Sequence, residues 1–242
     1  MRRGCGSILA MMLAACGGGD ESDAEDDGTS TAGSPAGPEL DDEFDGDLDG
    51  WEIVNPDRAD LRVADGSLVI EPHANSLWFN QSAGVLVAKR ITGDFVVTAP
   101  AHARSIADPG MPPLVPYRLG GLMARNPGGS AENYVFIVVG ADLDDVSIET
   151  KSTLASQSAF QGPTWPSGDA ELRICREGGR FAMLVREIGS STWMQQSAVT
   201  RSDLPETLQV GFIAYANADP ADLRMSFDAV HFTAFAGDCA AD

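Results

Sequence analysis

The chain has 242 residues and a formal net charge of −20, with 36 acidic against 16 basic side chains. Thirteen of the acidic residues lie between Asp20 and Asp49. This charge disfavours nucleic acid and anionic lipid headgroups as partners, because both would be repelled. No apolar run approaches the roughly 20 residues that a membrane-spanning helix requires.

The N-terminus has the pattern of an export signal. Arg2 and Arg3 precede a short apolar run over residues 7–15, which predicts a signal peptide at 1–15 that is removed from the mature protein. The segment Leu13-Ala14-Ala15-Cys16 resembles the bacterial lipobox. That resemblance implies acylation of Cys16, and two or more acyl chains anchor a protein stably to a membrane. We therefore expect an exported lipoprotein at the bacterial cell envelope, on the outer membrane or cell surface.

An acidic, flexible tether is predicted over residues 16–38. It contains three consecutive glycines, the acidic run 20–27, and then Gly, Ser, Thr and Pro. So few apolar side chains cannot offset the entropy of ordering the segment, and like charges extend it.

Two cysteines remain after Cys5 leaves with the signal peptide and Cys16 takes lipid. They are Cys175 and Cys239. An even number of cysteines in an oxidising compartment predicts a disulfide between them.

Residues 39–236 are predicted to form one all-β domain, a two-sheet antiparallel β-sandwich, followed by a C-terminal tail at 237–242. Short apolar runs alternate with Gly, Asp and Asn turns, as in sandwiches and barrels. The continuously apolar run 134–139 predicts a central strand. Two long loops, 108–116 and 152–169, are candidates to carry binding residues. The predicted strands are 61–63, 67–70, 85–89, 94–98, 119–124, 134–139, 146–150, 171–175, 181–185, 193–199, 208–214 and 223–232.

A series of short motifs follows the order found in one known superfamily. The motifs are 42–46 with 48–51, 65–70, 87–89 with 92–95, 119–125, 172–176, Trp193, 210–212 and 226–230. Together they resemble concanavalin A-like lectin/glucanase domains. The resemblance implies a jelly roll whose functions range from glycan binding to glycosidase activity to adhesion, so the fold does not fix the function.

No catalytic residue is predicted. The Glu-x-Asp-x-x-Glu pattern of the laminarinase-like branch is absent from the chain. Alternation places Asp145 and Glu149 on one strand face, but about 13 Å apart, which is too far for a retaining glycosidase pair. The simpler interpretation is a solvated strand face with Glu149 near Lys151. The sequence therefore favours a protein without enzymatic activity.

The resemblance also implies one structural Ca²⁺. Many jelly-roll glycan-binding domains hold the ion between the N-terminal segment, a turn glycine and an aspartate of the last strand. The corresponding residues here are Asp42 or Glu43, Gly66 and Asp228. The alternative is that Asp228 is an ordinary edge residue and that turn chemistry explains the rest.

Aromatic side chains are the natural candidates for sugar recognition, because a flat ring stacks on a pyranose face. Trp165 lies in the predicted loop 152–169, where Pro163 and Pro166 would stiffen it, and we expect its ring to stack on sugar at the rim of a shallow groove. Tyr117 and Arg125 flank a strand and could supply polar contacts. The alternative for Trp165 is that the loop folds back and the ring closes the end of the sandwich.

Three functions remain open from the sequence. The first is a noncatalytic glycan-binding or adhesion module whose partners are a polysaccharide and, through Cys16, the membrane. The second is a structural envelope protein without a small ligand. The third is a divergent glycosidase.

Overall fold

The computed structural model describes residues 33–143 and 145–241, and over these residues the chain is all-β. Besides the strands, this part of the chain contains two short 3-10 turns, Pro38–Leu40 and Pro56–Arg58, and no α-helix. No helix within it is long and apolar enough to cross a membrane. The strands are β1 (Glu52–Val54), β2 (Ala59–Ala64), β3 (Ser67–Pro72), β4 (Val85–Thr92), β5 (Phe95–Arg104), β6 (Arg118–Arg125), β7 (Tyr134–Ala141), β8 (Val146–Leu154), β9 (Gln157–Gln161), β10 (Asp169–Glu177), β11 (Arg180–Arg186), β12 (Met194–Thr200), β13 (Thr207–Ala216), β14 (Arg224–Phe227) and β15 (His231–Thr233).

The strands form two antiparallel sheets, which confirms the predicted β-sandwich. One sheet has seven strands in the order β1-β4-β13-β6-β7-β8-β9. The other runs β12-β11-β10-β5-β14-β3-β2, with β15 also paired to β5. The main core lies between them, because one buried cluster takes side chains from both sheets.

The seven-stranded sheet is also covered on its outer face. On β13, Phe212 and Ala214 belong to the main core, whereas Ile213 and Tyr215 belong to a second buried cluster, as the alternation of a strand requires. Trp78, fully buried in the segment 73–84, packs into this second cluster. Coverage on both faces explains the continuously apolar run 134–139, and the structure places β7 between two neighbouring strands, as predicted.

The predicted loop 152–169 is wrong in its first half. β8 continues to Leu154, and β9 returns along it after a turn at Ala155 and Ser156. Both turn residues have positive φ, at 49° and 61°, which is the geometry of a tight hairpin turn. Such a turn is normally signalled by Asn or Gly. The sequence Ala-Ser therefore concealed the hairpin.

The last predicted strand, 223–232, is in fact two strands, β14 and β15, separated by a short break. β1 is a further strand that the sequence pattern did not predict. All three are short, at three or four residues each. Apolar periodicity over so few residues carries little signal.

Both ends of the described chain are fixed to the sandwich. Ser34, within the predicted tether 16–38, accepts a hydrogen bond from the Thr92 amide at 2.8 Å and donates to the Arg90 carbonyl at 3.0 Å. Cys175 and Cys239 form the predicted disulfide, with their Cα atoms 5.7 Å apart. The signal peptide and Cys16 lie outside the described residues, so lipid anchoring stays a prediction.

Candidate functional site

A cavity of about 340 Å³ opens on the outer face of the seven-stranded sheet, beside the segment 73–84. We call it the outer-face pocket. Its volume is at the lower end of the range typical of small-molecule sites, about 300–1,000 Å³. The residues that line it are Leu77, Trp78, Phe79, Gln81, Tyr117, Glu149, Lys151, Phe160, Tyr215 and Asn217.

The floor of the outer-face pocket is a buried ion pair on β8. The Lys151 ammonium lies 3.0 Å from Glu149 Oε1, and each side chain is only 4% exposed. The Tyr215 hydroxyl donates to the same Glu149 oxygen at 3.1 Å, and Lys151 Nζ donates to the Trp78 carbonyl at 3.1 Å. The predicted solvated strand face is therefore wrong, because the segment 73–84 packs on this face of β8 and β9 pairs along its edge.

Burial changes the acidity of all three floor groups. Desolvation raises the pKa of Glu149, opposed by the nearby Lys151 charge, and desolvation lowers the pKa of Lys151. Burial, with the adjacent Glu149 carboxylate, raises the pKa of Tyr215 well above its usual value. Titratable groups with shifted pKa values in a cavity are candidates for function.

Two aromatic rings stand at the mouth of the pocket. Phe79 is 43% exposed and Phe160 is 54% exposed. Their centroids lie 6.1 Å apart with the ring planes nearly perpendicular. Large apolar side chains left this open gain little for the core, and the exposed part of each ring is accessible to a ligand.

Of the residues predicted to bind sugar, Tyr117 lines the outer-face pocket, where it is partly buried. Arg125 does not line it. Its guanidinium pairs with Glu132 at 3.0 Å and lies 5.9 Å from the centroid of the Trp78 ring. Arg125 therefore supports the wall residue Trp78 and does not reach into the cavity.

Trp165 is not an exposed ring, and the expectation that it stands at the rim of a groove is wrong. It is 7% exposed and belongs to the main core. Its indole Nε1 donates to the Asp169 carbonyl at 2.8 Å, and its amide donates to the Val146 carbonyl at 2.8 Å. The loop folds back onto the sandwich, as the alternative interpretation supposed.

The residues suggested for calcium are arranged as follows. Asp228 Oδ1 accepts a hydrogen bond from Ser67 Oγ at 2.9 Å, and its Oδ2 lies 3.1 Å from His102 Nε2. Gly66 precedes Ser67 in the turn between β2 and β3, while Glu43 is exposed. Within the described ranges, no group of three or more His, Cys, Asp or Glu side chains could hold a metal ion. A site built from Asp228 and backbone oxygens stays a prediction.

Apart from Tyr117, the sequence did not identify the residues that line the outer-face pocket. Glu149 and Lys151 read as a polar strand face, because only the register of β8 with β7 and β9 shows what flanks them. Phe160 lies directly opposite Lys151 across a hairpin that the sequence concealed. The one usable signal was Phe160 itself, a large aromatic ring in an otherwise polar segment.

Comparisons with solved structures identify the same sandwich in other proteins. A protein of unknown function from Saccharomyces cerevisiae matches with a TM-score of 0.65 at 15% identity, over 79% of this chain and 100% of that chain. A GH43 protein from Bacillus licheniformis matches with a TM-score of 0.63 at 13% identity, over 81% of this chain but 39% of that longer one. A seed lectin from Lotus tetragonolobus matches with a TM-score of 0.54 at 14% identity, over 82% and 99%.

At these identities the likeness shows the fold alone, which is the two-sheet β-sandwich that the sequence predicts. No protein-family model matches the chain. None of the curated proteins matches it by sequence either.

Proposed function

We propose that this chain is a lipid-anchored, glycan-binding protein of the bacterial cell envelope and that the outer-face pocket is its sugar site. The observation that carries the proposal is the combination of two exposed rings, Phe79 and Phe160, with a buried polar floor. A sugar presents the matching chemistry, since its ring face is apolar and its edge carries hydroxyl groups. Small-molecule sites combine mostly apolar walls with a few placed polar groups in the same way.

The fold neighbours support this class of ligand. They include a seed lectin and a winged bean lectin solved with Tn-antigen, and a GH43 protein and a xylan β-1,4-xylosidase. The same proposal includes an acyl anchor on Cys16, localisation at the cell surface and a structural Ca²⁺ at Asp228. The disulfide between Cys175 and Cys239 fits an exported protein.

Binding without hydrolysis fits the pocket better than glycosidase activity. Glycosidases of the usual type need two carboxyl groups that flank the scissile bond. Glu149 is the one carboxylate among the described residues that line the pocket, and it is held by Lys151 and Tyr215. The divergent-glycosidase alternative would need a second carboxyl group in reach of the same sugar.

The experiment is a glycan array probed with the purified protein, compared with the Phe160→Ala variant. Truncation should weaken glycan retention at least tenfold while the midpoint of thermal unfolding stays within a few degrees, because the ring is more than half exposed. The matched control is Ile188→Ala, a similarly exposed apolar residue, at 47%, in the turn that follows β11. It should leave binding unchanged.

Three results would count against the proposal. Absence of binding to every glycan favours a structural envelope protein. Equal binding by wild type and Phe160→Ala places the site elsewhere. Release of reducing sugar from a bound polysaccharide would favour the divergent-glycosidase alternative.

A further inference from the structure

The Lys151 ammonium occupies an aromatic cage at the floor of the outer-face pocket. It lies 4.7 Å from the Phe136 centroid, 5.1 Å from Phe79, 5.5 Å from Tyr215 and 5.6 Å from Phe160. Aromatic cages of this kind attract ammonium groups through the negative faces of the rings. Here Lys151 of the chain itself fills the cage. Its ammonium is therefore already enclosed, and paired with Glu149, before a ligand binds.

The charged groups that act on Lys151 are two carboxylates. Glu149 pairs with it directly. Asp142 acts electrostatically on both members of the pair, and its Oδ1 is buried without a hydrogen-bond partner in the described part of the chain. Lys151 is therefore paired with one carboxylate and feels the charge of a second, in a region that is only weakly screened by water.

An acidic ligand is disfavoured in such a site for two reasons. Its carboxylate would be repelled by Glu149 and Asp142. If it displaced Glu149 from Lys151, it would leave a buried carboxylate without its partner, which is strongly destabilising.

A neutral hydroxyl group is not repelled by these carboxylates and need not displace Glu149. Glu149 Oε1 contacts the Lys151 ammonium and accepts a hydrogen bond from the Tyr215 hydroxyl. Oε2 has no hydrogen-bond donor among the described residues. Oε2 is thus an acceptor open to a sugar hydroxyl, which can bind while the ion pair stays intact.

Resting on the function proposed above, we infer that the outer-face pocket selects a short, neutral saccharide unit and rejects uronic and sialic acids. Glu149 is the specificity-determining residue, because its charge both holds Lys151 in the cage and repels a ligand carboxylate. The cavity of about 340 Å³ limits the recognised part of the glycan to one or two sugar units.

The test compares matched oligosaccharides that differ at one terminal unit, glucose against glucuronic acid and galactose against galacturonic acid, by titration calorimetry with the full-length protein. Wild type should bind the neutral member at least tenfold more tightly. Glu149→Gln keeps the shape of the side chain and removes its charge, so the preference should fall by at least tenfold. Phe160→Ala should weaken both members equally and leave the preference unchanged.

The outcomes separate this inference from the proposed function. Binding of neutral and acidic members with equal affinity by wild type, or a preference for the acidic member, overturns the charge selection alone. An unchanged preference in a folded Glu149→Gln variant overturns the role of Glu149. The wild-type comparison needs no variant and decides the charge selection even if Glu149→Gln fails to fold. Failure to bind either member overturns the proposed function and this inference with it.

Discussion

Two aromatic residues five positions apart have opposite roles. Phe160 lies on the edge strand β9 with 54% of its surface exposed, whereas Trp165 is 7% exposed within the main core. Both come from one polar stretch in which neither local composition nor strand periodicity separates them. The difference arises because Thr164 bridges to Ser147 on β8 and draws the following tryptophan inward.

Trp165→Ala should therefore destabilise the fold, by roughly 3–5 kcal/mol in the free energy of unfolding, because it leaves a large cavity in the core. It also removes the hydrogen bond to the Asp169 carbonyl. Chemical denaturation measures the change, with Phe160→Ala as the exposed counterpart that should cost far less. An unchanged free energy of unfolding together with lost glycan binding would reinstate Trp165 as a sugar-stacking residue.

At the scale of elements, the hairpin of β8 and β9 and the segment 73–84 build the site together. The hairpin supplies Lys151 with Phe160 directly opposite it. The segment 73–84 supplies the carbonyl that accepts from Lys151 and one of the exposed rings. Neither element forms the pocket alone, and Tyr117, Tyr215 and Asn217 complete its lining.

The C-terminal tail is a second element fixed by long-range contacts. Cys239 is bonded to Cys175 on β10, and Arg173 of the same strand donates to the carbonyls of Cys239 and Ala241. The tail therefore covers part of the outer face of the eight-stranded sheet, the sheet that does not carry the pocket.

Replacing both Cys175 and Cys239 with Ala should lower the free energy of unfolding by up to about 4 kcal/mol, the chain-entropy value for so long a closed loop. The two cysteines are 64 positions apart. Denaturant titration of the oxidised wild type against the double variant measures the loss, and dithiothreitol should lower the stability of the wild type alone. Glycan binding below the unfolding transition should persist, since the pocket is on the other sheet. A double variant as stable as the oxidised wild type would show that the disulfide contributes nothing to the fold.

At the scale of the whole molecule, the sandwich would sit outside the cell on an acidic tether. Cys16→Ser should abolish acylation and move the protein from the membrane fraction to the soluble fraction, because it removes the thiol that the predicted lipobox would acylate. Membrane fractionation with labelled palmitate measures both effects, and Cys5→Ser is the matched control that should change neither. Unchanged membrane association of Cys16→Ser would refute the lipid anchor.

The all-β sandwich and the disulfide were predictable from the amino-acid sequence alone, and the sequence also predicts the export signal. Strand alternation, turn residues and cysteine count are local or compositional features, so they can be recognised without knowledge of the fold. The pocket was decided only by the tertiary structure. Glu149 and Lys151 are buried because β9 pairs along the edge of β8 and the segment 73–84 packs on its outer face. A charged strand face has the same sequence pattern whether it is solvated or covered. Which rings stay open, Phe160 and not Trp165, follows likewise from contacts between distant strands.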